Sequence, residues 1–285
     1  MKFAILITTK GKENTEKAIK SVIDNKLPIY IVTPEKYYKN LEQKYKNIKI
    51  INDKREGKAS AINFAIDKIK EDIIIFTDGD VYIKKGSIHY ITKLFQNKSV
   101  GGVTGKVISL NSKNNALGYW SHFLVECANT LRKDLQKRNE YFEMTGYLMA
   151  VRKNLIDKIP KESLSEDGYI SQCIHSKGYK IVYEENAVVY VKYPTNFKDW
   201  IIQKRRSAGG YTQSFIDKEK SNRSFSKETK YGLRGFFQYP KTLKERYYLI
   251  LLFLSRIYLW VVIFKDIKIK KLPFSKIWKE VKSTK

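Results

Sequence analysis

The chain has 285 residues, with 55 Lys and Arg against 29 Asp and Glu, for a formal net charge of +26. It is long enough to bury a sizeable core, and its charge predicts an anionic partner: a nucleic acid, a phosphorylated small molecule or an anionic lipid surface. Its two cysteines, Cys127 and Cys173, stand alone, which speaks against a disulfide scaffold or a cysteine zinc site and for a reducing compartment.

The chain opens on the apolar run FAILITT, with no leader pattern of basic, apolar and small residues, so secretion is not expected. A polar helix is predicted from about Glu13 to Asp24, then the strand IYIVT, a helix near Pro34 to Lys46, and the strand IKIIN. Gly57 precedes a further helix in which Ile62, Ala65, Ile66 and Ile69 share one face, and the strand IIIFT follows. This βαβαβαβ order predicts an α/β fold with a mostly parallel sheet, helices on both faces and ligands beyond the carboxyl ends of the strands. Later, Tyr119, Phe123, Cys127 and Leu131 recur every four residues, a spacing that places them on one core-facing side of a helix. The polar stretch 218–230 reads as a linker, dividing the chain into an α/β domain, 1–217, and a basic C-terminal segment, 218–285.

Two groups of acids stand out. Asp78 and Asp80 flank Gly79 at the end of the fourth strand, where paired carboxylates can share a hard divalent cation suited to a pyrophosphate. Read alone, Asp-Gly also makes an ordinary turn. Ser165, Glu166 and Asp167 read alone as a helix N-cap. His89, His122 and His175 have no mutual ligand spacing and read as structural or surface residues.

Five stretches in order, EGKASAIN, FTDGDVYI, FEMTGYLMAVRKNLI, SEDGYI and QKRRSAGG, resemble the motif series of family 2 glycosyltransferases, which have the GT-A fold. The resemblance covers roughly residues 3 to 215 and is closest to the membrane-linked branch that includes cellulose, chitin and hyaluronan synthases. It implies that Asp80, with Asp78, ligates Mg²⁺ or Mn²⁺ on the diphosphate of a sugar nucleotide, and that Asp78 also holds the sugar or nucleotide side. It implies Asp167 as general base with Glu166 beside it, and Lys58 near the donor phosphates. Gln203 and Arg206 match the Q-x-x-R-W motif, where Arg206 would bind the departing diphosphate. Ser207 stands in place of the tryptophan that frames the acceptor in processive synthases. The family's P-x-Y-N-E and second-strand aspartate pair are absent, leaving Thr8, Thr9, Glu35 and Asp53 as stand-ins around the nucleotide.

Residues 247–264 are apolar except for Ser255 and Arg256, and as a helix would run about 27 Å. Arg256 near the middle, with Lys241, Lys244 and Arg246 before the run and Lys265, Lys268, Lys270 and Lys271 after it, favours a helix lying in the membrane interface over one crossing it. A core helix of a soluble domain has the same composition.

The expected protein is a metal-dependent inverting glycosyltransferase, peripheral or monotopic on the cytoplasmic face of the cell membrane, with a single pass as the other arrangement. Its expected partners are a nucleotide-diphosphate sugar donor, a glycan or lipid-linked acceptor and an anionic membrane surface, and not nucleic acid. Two other classes use some of the same features. A sugar-phosphate nucleotidyltransferase carries a glycine-rich phosphate loop after its first strand, whereas TTKGKEN has one glycine. A nucleic-acid-binding protein lines a basic groove with aromatics.

Overall fold

The structure is a computed structural model that describes residues 1–10, 13–34, 39–210, 213–217, 232, 235–270, 281 and 283–284. The expected linker, 218–230, and Glu35 lie outside the described residues. The chain forms two compact units, one of residues 1–107 and 141–191, the other of 108–140 and 192–285.

The first unit is built on an eight-stranded sheet. Its strands are β1 (Phe3–Thr8), β2 (Ile29–Thr33), β3 (Ile48–Asn52), β4 (Ile73–Asp78), β5 (Val81–Ile83), β6 (Val100–Ser109), β7 (Met149–Arg152) and β8 (Lys180–Val191), in the order β3-β2-β1-β4-β7-β6-β8-β5. The four strands legible as apolar runs form its parallel half, and antiparallel pairs join β4 to β7, β7 to β6 and β8 to β5. Runs of isoleucine suit strands covered on both faces. Alternation along β1 and β4 sends Ala4, Leu6, Ile74 and Phe76 into one cluster, and the intervening Ile5, Ile7, Ile73 and Ile75 are equally buried.

Six helices are placed along this part of the chain: α1 (Glu13–Val22), α2 (Lys39–Lys44), α3 (Lys58–Lys68), α4 (Ser87–Leu94), α5 (Ala116–Lys137) and α6 (Glu166–Ser176). The expected face of α3 is present: Ile62, Ala65 and Ile69 are buried and Ile66 packs against the same cluster, which Ile170 and Ile174 of α6 also join. The helix expected near Pro34 to Lys46 is described only as the short α2. Gly57 starts α3 at φ 101°, a conformation that a side chain would strain.

The second unit contains α5 together with α7 (Phe197–Gly210) and α8 (Leu243–Phe264). Tyr119, Trp120, Phe123, Trp200, Leu249, Leu252, Leu259 and Ile263 form its core. The rings of Trp120 and Trp200 meet edge to face at 5.3 Å, and Trp120 Nε1 donates to the backbone oxygen of Tyr248 at 2.6 Å. Of the expected stripe on α5, Tyr119 and Phe123 are in the core, whereas Cys127 and Leu131 are half-buried. His122 bonds the Asn111 carbonyl at 2.6 Å and His175 packs on the Tyr141 ring, as structural residues do.

Candidate active site

The site of the first unit begins with strand register. β1 and β4 run parallel with Thr8 opposite Asp78, so the two side chains leave the sheet edge together, and Thr8 Oγ1 donates to Asp78 Oδ1 at 2.7 Å. Lys58, the first residue of α3, reaches the same oxygen at 2.7 Å. The family resemblance implies Lys58 near the donor phosphates; here its ammonium pairs with Asp78.

Beyond Asp78 the chain turns, with the Gly79 amide donating to the Thr8 carbonyl at 2.9 Å. Gly79 is needed for space and not for a left-handed backbone. A β-carbon there would collide with the Thr9 side chain and come within 2.9 Å of Thr15 Oγ1, and those two hydroxyls bond each other at 2.6 Å. Asp80 is exposed at the tip of the turn. Burial raises the Tyr82 phenol above its ordinary pKa, and the charge of Asp80 adds to the rise.

The second carboxylate group sits at the start of α6. Asp167 Oδ1 accepts from Ser165 Oγ at 2.8 Å and from the Gly168 amide at 3.0 Å, while Oδ2 accepts from the Gly146 amide at 3.1 Å. The Ser165 hydroxyl makes no capping bond to the helix backbone, so this serine orients a side chain instead of closing the helix end. Ser171 ties the arrangement down, donating to the Asp167 carbonyl at 2.6 Å and accepting from the Met144 amide at 3.0 Å. Ser165, Gly146 and Ser171 were not singled out from sequence as site residues. Ser165 carried the one available signal, a hydroxyl two positions before the acid.

Glu166 connects the two groups. Burial pushes its carboxyl above the usual glutamate range; Lys58 opposes this, and Asp167 and Asp78 add to it. Asp78, Lys58 and Asp167 therefore form one set of charged groups that act on the Glu166 carboxyl. Thr8 belongs to it by its bond to Asp78. Thr9 packs under Gly79, and Asp53 folds back on its own turn, accepting from the Arg55 amide at 3.1 Å.

No group of three or more His, Cys, Asp or Glu side chains that could cage a metal occurs among the described residues. The donor set that is present, exposed Asp80 beside half-buried Asp78, fits a hard cation that takes its remaining oxygens from a bound ligand.

Gln203 and Arg206 lie on α7 in the second unit. Gln203 Oε1 is shielded from solvent and accepts no hydrogen bond among the described residues. Between them Arg205, absent from the sequence reading, bonds Asp266 with Nη2 to Oδ2 at 2.7 Å. The helix start is fixed by Asn196, whose Oδ1 accepts from the Asp199 amide at 2.9 Å.

Residues 35–210 match the family described as glycosyltransferase-like family 2. No curated protein sequence matches the chain. Among solved structures, the mannosyltransferase PcManGT from Pyrobaculum calidifontis, in complex with GDP-Man and Mn²⁺, is similar with a TM-score of 0.59 at 12% identity, over 96% of this chain and 82% of that one. TarS from S. aureus aligns with a TM-score of 0.52 at 14% identity, covering 91% of this chain and 81% of that one. GalNAc-T7 with UDP, GalNAc and Mn²⁺ gives a TM-score of 0.52 at 14% identity, over 82% of this chain and 54% of that one. At these identities the likeness is one of fold, and that fold is GT-A.

Proposed function

Because the chain belongs to glycosyltransferase-like family 2, and is thereby a glycosyltransferase of GT-A fold, we propose that it transfers a sugar, with inversion, from a nucleotide diphosphate to a glycan or lipid-linked acceptor at a membrane, with the help of a divalent cation. The observation that carries this reading is that one unit of the fold holds Asp78 at the sheet edge, bonded by Thr8 and Lys58, and Asp167 at the start of α6, bonded by three donors. An inverting transfer needs these two parts: a carboxylate edge where a diphosphate is held, and a separately held base.

In this reading Asp167 is the base. It takes the proton from the acceptor hydroxyl while the oxygen attacks the anomeric carbon and the bond from that carbon to the diphosphate oxygen breaks on the opposite side. Its three donors fix the direction of the carboxylate before the acceptor arrives, which is the orientation such a step requires. Glu166 sets the charge beside it. Asp80, with Asp78, would hold Mg²⁺ or Mn²⁺, whose part is to neutralise the charge of the departing diphosphate. Gln203 and Arg206 are assigned to the donor by their match to the family motif, and Thr8 and Lys58 by their hold on Asp78. The Mn²⁺ bound with GDP-Man in PcManGT, and with UDP and GalNAc in GalNAc-T7, supports the cation.

The test is a screen of the purified protein against sugar nucleotides with Mn²⁺ or Mg²⁺, read as a rise in melting temperature and as slow donor hydrolysis. Asp80→Ala should keep the fold and lose the cation-dependent rise. Asp167→Asn should keep donor binding while transfer falls by roughly 10² to 10⁴. A protein that no donor stabilises, or an Asp167→Asn variant that transfers normally, overturns the reading.

A further inference from the structure

From Tyr247 to Phe264 α8 is apolar apart from Ser255 and Arg256, but its two sides meet different surroundings. Leu249, Leu252, Leu259 and Ile263 are buried in the core of the second unit. Tyr247, Ile250, Leu254, Ile257, Val261 and Phe264 are each 44 to 60% exposed, and their spacing of three and four residues makes one continuous ridge. At 1.5 Å per residue the ridge is about 26 Å long. Exposed Arg246 and Lys265 stand immediately before and after it.

We propose that this ridge is a docking face for an anionic lipid bilayer, with α8 lying in the plane of the interface. Scattered exposed apolar side chains need no explanation, but a ridge of this length bounded by cations does. Its apolar residues would enter the boundary between headgroups and acyl chains, and Arg246 and Lys265 would meet anionic headgroups at either end. Charge complementarity selects this occupant over a second copy of the chain, because two chains of +26 would bring like charges together.

The buried side of α8 selects the geometry. The helix is long and apolar enough to cross a membrane. Crossing would strip Leu249, Leu252, Leu259 and Ile263 from the aromatic core and break the bond from Trp120 Nε1 to the Tyr248 carbonyl. Lying flat exposes to lipid only the side that the protein leaves bare. The inference deepens the proposed function, resting on it for the membrane-side acceptor, but it is tested without a transfer assay.

The experiment is flotation of the full chain with vesicles of phosphatidylcholine alone or with added phosphatidylglycerol, with donor-induced stabilisation measured on the same samples. The protein should float with the anionic vesicles and be released by high salt. Ile250→Glu with Leu254→Glu and Ile257→Glu alters exposed positions only, so it should keep the wild-type melting temperature and stay at the bottom of the gradient. Arg246→Gln and Lys265→Gln should each weaken partitioning about fivefold. Three results overturn the proposal: wild-type protein that does not float, flotation that resists high salt and yields only to detergent, and a solution dimer that the triple variant converts to monomer. Donor stabilisation without flotation would remove the docking face and leave the proposed transferase standing; flotation without donor stabilisation would do the reverse.

Discussion

Thr8 and Asp78 stand opposite each other at the carboxyl ends of two parallel strands, and the threonine hydroxyl donates to the carboxylate at 2.7 Å. Valine is nearly the same shape and donates nothing. Thr8→Val should therefore lower stability by about 1 to 2 kcal/mol, the usual contribution of a hydrogen bond to a charged group in a half-buried site. Urea unfolding should give a lower midpoint and an unchanged slope. An unchanged midpoint would mean that Lys58 alone holds the carboxylate.

Two glycines of the site answer to different constraints. At Gly79 a methyl group would be driven into Thr9 and Thr15, so Gly79→Ala should destabilise by about 1 to 3 kcal/mol through overpacking. At Gly146 a β-carbon would lie 3.6 Å from that of Asp167, ordinary contact, and the amide that holds Asp167 is kept. Gly146→Ala should melt within about 0.5 kcal/mol of wild type, as benign substitutions do. Equal melting of the two variants would contradict the assignment of Gly79 to close packing.

Glu166 makes stability depend on pH in a stated direction. Its folded carboxyl is raised above the ordinary value of 4.5, chiefly by burial, so the folded chain holds this proton at pH values where the unfolded chain has released it. The contribution is fully present below the ordinary glutamate value and is lost as pH rises through the raised one. Glu166→Gln keeps the neutral form at all pH values. Denaturant midpoints followed from acid to neutral pH should show wild type losing ground to the variant as pH increases; a constant difference would remove the raised carboxyl.

In the second unit Asp266 and Arg205 form a buried ion pair at 2.7 Å, their side chains 8% and 17% exposed. Asp266→Asn leaves the guanidinium without its counter-charge and should cost about 3 to 5 kcal/mol. Replacing both, Arg205→Met with Asp266→Leu, should recover most of that loss. If the double variant is no better than the single one, the aspartate contributes something other than charge, and a double-mutant cycle would measure how much.

Sequence alone located β1 to β4, α3 and the acids at Asp78, Asp80 and Asp167, because those segments carry their signals locally: isoleucine runs, a glycine before a helix, a hydroxyl before two acids. It did not show β6, a strand that carries glycines 101, 102 and 105. At each a neighbouring segment leaves no room for a β-carbon: Tyr179 and Ile174 crowd Gly101, Met144 crowds Gly102, and the Ala187 carbonyl crowds Gly105. Nor did it show the bond from Lys58 to Asp78 or that from Arg205 to Asp266, since each joins residues on separate elements. The motif series placed the acids; their partners became visible only through strand register and helix packing.

The ammonium of Lys58 on Asp78 also decides how the protein behaves when no metal is supplied. A sheet edge with a built-in counter-ion has no electrostatic debt for a cation to settle, so the fold should be indifferent to chelators. EDTA should leave the melting temperature where it was and abolish only the added stabilisation given by a sugar nucleotide. With Lys58→Met the same edge becomes a bare carboxylate cluster, and millimolar Mg²⁺ by itself should raise the melting temperature. Should wild type lack that response, the proposed cation would be recruited by the donor it accompanies and not by the empty protein, a passenger of the substrate delivered and carried away with each turnover.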